Sequence, residues 1–225
     1  MKKTLLLTVS ALILIFTASC EEPQGNDPFL LVPGERAGLF FLNQEYEPVE
    51  TLYKGYDFSE EIDDWQDVNI FWDGEIALGF GRMMEEGEDT RIDHTVGKII
   101  GVFSSDFYTA EKISIGSSLQ DLLDNYPKYR IDVDFIPEYD YAPLKYEQFY
   151  DIESLFAYIR QNGFDKIDPY GTKFSCLDAK GKDTGIGFYF WMENIDGNKI
   201  STVETKVTGI IIYAETWERE STVWY

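Results

Sequence analysis

The chain has 225 residues, 41 of them Asp or Glu and 19 Lys or Arg, for a formal net charge of −22. Such a field repels nucleic acid and anionic lipid, which excludes both as partners of the protein's own surface. With 44% hydrophobic residues the chain can bury one core of ordinary size or two small ones.

At the N-terminus Lys2 and Lys3 precede the apolar run LLLTVSALILIF, and the small residues Ala18 and Ser19 lead to Cys20. That order is a secretory signal, too short for a comfortable membrane span. An ordinary signal peptide cut near Ala18 would leave Cys20 an incidental thiol. The stretch TASC resembles the lipobox of bacterial lipoproteins, with Thr17 where leucine is usual, a departure common among the Bacteroidetes. The resemblance implies that residues 1–19 are removed, that Cys20 is acylated, and that lipid holds the protein to the outer membrane of the cell envelope. Removing 19 of 225 residues leaves 206, and the loss of Lys2 and Lys3 takes the charge from −22 to −24. Acyl chains then supply the attachment that the acidic surface opposes, at about 0.8 kcal/mol per buried methylene. With Cys20 alkylated, Cys176 has no intramolecular partner, and stability rests on packing rather than on disulfides.

Residues 20–36 carry three prolines, two glycines and several acids, and read as a lipidated tether whose FLLV segment is the first that could join a sheet. Residues 37–225 read as one α+β domain, divisible into sub-modules 37–105 and 106–225. VNIFWDGEIALGFG holds two strands around an Asp73-Gly74 turn, and GKIIGVFS is another strand. IGSSLQDLLDNYPK is the clearest helix, with Ser117 as cap, Leu119, Leu122, Leu123 and Tyr126 on one face, and Pro127 as stop. YRIDVDFI alternates apolar and acidic residues, as a strand with one wet face does. DIESLFAYIRQNG is a second helix, capped by Asp151 and ended by Gly163. KFSCL, GIGFYFWM and TKVTGIIIYAETW complete the strands. The expected fold is therefore antiparallel sheet with two short helices packed on one face.

A shift of 108 residues places Gly79, Phe80, Met84, Glu85, Ile92, Lys98 and Gly101 on the identical Gly187, Phe188, Met192, Glu193, Ile200, Lys206 and Gly209. This points to an internally repeated β-hairpin. The block GKIIGVFSSDFYTAEKISIGSSLQDLLDNYPKY, with TGIGFYFWM and TKVTGIIIY as a closing strand pair, resembles a module of uncharacterised bacterial envelope proteins. It is similar to the small α+β modules of β-lactamase-inhibitor-like proteins and of small outer-membrane assembly lipoproteins.

Catalytic chemistry finds little to use. His94 is the only histidine, no G-x-S-x-G elbow is present, and Cys176 in KFSCL reads as a buried strand thiol. One His and one distant Cys do not make a zinc site, and no Gly-rich loop with a neighbouring base opens a helix. We expect no enzyme activity and no metal, nucleotide or redox cofactor, with calcium in the acidic loops 85–94 and 193–202 left open. Among the tryptophans, Trp65, Trp72 and Trp191 read as packing residues. Trp217 and Trp224 lie among charges in ETWERESTVWY and are the candidate ligand contacts. The expected role is a lipid-anchored, non-enzymatic envelope protein that binds or helps assemble another macromolecule. The alternatives are a glycan-binding accessory protein of surface polysaccharide uptake and a hydrolase-inhibitor-like protein.

Overall fold

The computed structural model describes residues 27–62, 67–81, 96, 99–134, 146–164, 167–168, 172–192 and 201–214. The chain begins with β1 (Leu30–Val32), β2 (Arg36–Ala37), β3 (Phe40–Phe41) and the single turn α1 (Val49–Leu52). A run of strands follows, β4 (Phe58–Ile62), β5 (Asp67–Trp72), β6 (Glu75–Gly81), β7 (Ile99–Val102) and β8 (Tyr108–Thr109). Then come α2 (Leu119–Asn125), β9 (Tyr129–Asp134), β10 (Tyr146–Phe149) and α3 (Ile152–Asn162), and finally β11 (Lys173–Leu177), β12 (Asp183–Trp191) and β13 (Lys206–Tyr213).

Nine strands make a large antiparallel sheet in the order β10-β9-β11-β12-β13-β7-β6-β5-β4, and β3-β2-β1-β8 make a small one. The fold is thus α+β, mostly antiparallel sheet with few helices. The strands of residues 58–102 and those of 129–213 form two contiguous blocks that meet where β7 pairs with β13, Val102 opposite Ile210. Residues 27–36, which composition reads as the end of a tether, enter the fold: β1 pairs with β2 and, in parallel, with β8, and Leu30 and Leu31 are buried.

The local signals explain most elements. The β5–β6 hairpin turns at Asp73 and Gly74, both at positive φ, 51° and 82°, as a tight hairpin requires. Helix α2 starts one residue later than the serine pair suggests. Ser117 Oγ is occupied by the N–H of Ser114 at 3.1 Å, so Ser118 becomes the cap. Its hydroxyl accepts the N–H of Asp121 at 3.1 Å, and the Asp121 carboxylate accepts the N–H of Ser118 at 2.7 Å, a reciprocal capping box. Helix α3 is capped by Asp151, which accepts the N–H of Ser154 at 2.7 Å, and stops at Gly163 with φ of 90°.

Leu119 and Leu122 of α2, Leu155 and Ile159 of α3, and Leu31, Ala37 and Phe40 of the small sheet join one continuous core with the inward residues of the large sheet. Gly38 is held at φ +58°, where an added Cβ would collide with Tyr53 Oη and the Pro28 carbonyl, so only glycine fits. The IGSS turn is stitched to the start of β13: Gly116 donates to Val207 O at 2.9 Å and Val207 donates to Ser117 O at 2.8 Å.

The hairpins β6–β7 and β12–β13, which carry the sequence repeat, are neighbours across the β7–β13 junction. Their registers differ. Gly79 opposes Gly101, whereas Gly187 opposes Ile211, two residues beyond the Gly209 that the repeat would place there.

Candidate functional site

Along the central strands, alternate side chains such as Ile70, Leu78, Val102, Phe174 and Ile210 face the core, and the residues between them form the outer face of the large sheet. One row of that face runs across eight strands in unbroken register. From β9 to β4 it reads Arg130, Ser175, Gly187, Ile211, Gly101, Gly79, Asn69 and Glu61. Three glycines in one row make a shelf with no side chains of its own.

The two ends of the face differ in chemistry. At the β9–β13 end, Arg130 donates to both oxygens of Asp132, Nε to Oδ1 at 3.0 Å and Nη2 to Oδ2 at 3.2 Å, and reaches Asp183 at 3.4 Å. Gln148 donates to Asp132 Oδ1 at 2.9 Å, and Tyr213 donates to Asp183 Oδ1 at 2.7 Å. The Lys173 ammonium lies 4.0 Å from Asp132 and 5.2 Å from the Tyr213 ring centre. Asp132, taken from sequence as part of a wet face, is in fact 1% exposed. An unpaired carboxylate would be strongly disfavoured at that depth, and the two cations beside it remove that penalty. Burial works against the Arg130 cation, but Asp132 beside it outweighs this and holds the guanidinium above its ordinary value. Burial, and then the Asp183 charge, push the Tyr213 phenol up, so it stays a donor. Two bases and two acids close on one another, an arrangement that locks strands together and leaves no activated nucleophile in the cluster.

At the β4–β7 end the face is open. The Phe103 ring covers the glycine shelf: a Cβ on Gly101 would lie 3.0 Å from its Cζ, and one on Gly79 would lie 3.3 Å from its Cε2. An aromatic ring seated over cross-strand glycines replaces the packing those glycines lack. Phe103 nonetheless remains 54% exposed, and Ile76 beside half-buried Phe71 is 45% exposed. Among the described residues no three His, Cys, Asp or Glu side chains converge as a metal ion needs.

The sequence-predicted site residues Cys20, Trp217 and Trp224 lie outside the described residues, as do His94, Trp65 and the acidic loops over 85–94 and 193–200. Trp72 is a packing residue, its ring 4.4 Å from Phe58 and 5.6 Å from Phe29. Cys176 is 2% exposed on the core face, the buried strand thiol that KFSCL suggests, and burial pushes its thiol far up, away from thiolate chemistry. Phe103, Arg130, Asp132 and Lys173 carry the outer face and escaped the sequence reading. The available signal was the apolar residue just past a glycine-bearing strand, and the lysine opening an otherwise apolar one.

This geometry defines an α+β protein of antiparallel sheets with a polar-to-aromatic outer face. No protein-family model matches the chain, and no curated protein matches it. Among solved structures it is similar to the uncharacterized protein yfeY from Escherichia coli, at 14% identity and a TM-score of 0.40, covering 81% of this chain and 98% of that one.

Proposed function

We propose that the protein is a non-enzymatic binding protein of the bacterial cell envelope, anchored through lipid on Cys20, that holds or helps assemble another macromolecule on the outer face of its large sheet. The observation that carries this is Phe103, a large aromatic seated on the glycine shelf and 54% exposed at the middle of a sheet. A rigid exposed aromatic of this kind is what interface anchors are made of. The closed ionic cluster beside it supports a scaffold role, since its charges are spent on one another. We also take the two hairpins to be copies of one unit, with α2, α3 and the small sheet covering the opposite face.

The test has two arms. Wild type should take up labelled palmitate and fractionate with the outer membrane, whereas Cys20→Ala should be unlabelled and of precursor size. Identical size and fractionation would remove the anchor. A photo-reactive benzoylphenylalanine at position 103 should cross-link to another macromolecule in living cells, and no adduct there would remove the binding face. A saccharide panel bound by wild type and lost in Phe103→Ala would move the assignment to the glycan-binding alternative.

A further inference from the structure

The outer face carries opposite charges at corresponding places. Gly187 is flanked by Ser175 and then Arg130, and Gly79 by Asn69 and then Glu61. One row away Lys173 opposes Tyr189, and Asp67 opposes Gly81, a glycine 108 residues before that tyrosine. Arg130 and Lys173 thus stand where the other half has Glu61 and Asp67. Strands β4 to β7 contain no lysine or arginine.

The β9–β13 half already shows how a cation sits on such a surface. The stem of Lys173 lies along the shelf, where a Cβ on Gly187 would be 3.0 Å from its Cδ and 3.2 Å from its Cγ. Its ammonium reaches an aromatic ring, Tyr213, and a carboxylate, Asp132. Beneath it Ile211, the residue 108 positions after Phe103, is only 5% exposed. The β4–β7 half offers a glycine shelf, an aromatic ring and carboxylates, with Phe103 left 54% exposed.

Resting on the binding-face reading above, we infer that this half takes a basic segment of a partner protein, a lysine- or arginine-bearing stretch laid across β4 to β7. A side chain of that stretch runs its apolar stem over Gly79 and Gly101 and places its cation against the Phe103 ring and the carboxylates of Glu61 and Asp67. Cation–aromatic contact favours this pairing, and the net charge of −22 draws a basic partner in while repelling acidic ones.

The experiment uses the lipidated chain in nonionic detergent and a fluorescent hexalysine peptide, followed by anisotropy at physiological salt. Phe103→Ala leaves the net charge unchanged and should weaken binding about tenfold. Phe103→Trp should retain binding, and Glu61→Gln should weaken it more than Glu153→Gln, which removes the same charge from helix α3. Equal affinity of wild type and Phe103→Ala, or equal losses from Glu61→Gln and Glu153→Gln, would reduce hexalysine binding to general attraction and overturn the inference. The position-103 cross-link separates the two levels. An adduct without Phe103-dependent hexalysine binding removes only the basic-partner class, and the absence of both removes the binding face.

Discussion

The carboxylate of Glu60 accepts the backbone N–H of Val49 at 2.8 Å, so a strand caps the helix that precedes it in the chain. Pro48, at the start of α1, offers no side-chain cap, and the same Glu60 oxygen also receives the hydroxyl of Tyr46. Glu60→Ala leaves an orphan helix N–H and a buried phenol without its acceptor. It should cost about 1–3 kcal/mol in urea unfolding, with Glu60→Gln losing less.

Leu122 is fully buried against the large sheet, while Leu123 is only half-buried at the core margin. Leu122→Ala should destabilise by about 2–5 kcal/mol and Leu122→Asp by more, because the latter also buries a charge. Leu123→Asp should cost clearly less than Leu122→Asp, and thermal melts of the three variants read the order directly.

Breaking the ionic cluster from one side should be worse than removing charge from the surface. Arg130→Met leaves Asp132 with Gln148 and a lysine 4.0 Å away, at 1% exposure. The expected loss is about 3–5 kcal/mol, and added salt should not recover it, since the pair is screened by protein rather than by water.

Side-chain and backbone hydrogen bonds from Ser118 hold the Asp121 carboxyl below its ordinary value of 3.8. Its folded-state value is depressed, so its contribution is present above about pH 4 and is lost as pH falls through the folded value. The stability gap between wild type and Asp121→Asn should therefore be full at pH 6 and shrink toward pH 2. Urea midpoints across that range check the sign, and a gap that widens on acidification would contradict the capping box.

Cys176 is buried at 2% exposure with its thiol pushed up by burial. A thiol reagent at pH 8 should leave it unmodified in the folded chain for hours and react within minutes in guanidinium. Rapid labelling without denaturant would mean that the β11–β12 region opens readily.

What the sequence revealed depended on how local each signal was. Helices α2 and α3 and the Asp73-Gly74 turn announce themselves through caps, periodicity and positive-φ residues within a few positions. Four-residue α1 has no such pattern, because its cap comes from Glu60 eleven residues downstream. The choice between Ser117 and Ser118 turned on which hydroxyl was already engaged, a matter of the Ser114 turn. Alternation in YRIDVD correctly assigns faces to β9 but says nothing of what stands over each face, and so Asp132 passed for a wetted acid. The glycine shelf is the least legible feature of all. Gly79, Gly101 and Gly187 come together only through strand register, and Phe103, one residue past β7, lies in no periodic pattern.

The junction of β7 with β13 sets a schedule for the growing chain. Ile99–Val102 is an apolar edge with unpaired amides and carbonyls until Ile210–Tyr213 arrives to cover it. At about 5–20 residues per second, that wait lasts roughly 5–20 s of synthesis. During it the β4–β7 block can close as a hairpin series while its inner edge stays open to any passing strand. Substitutions that speed pairing elsewhere in the second block would not shorten this interval, because the strand that ends it is the last one made.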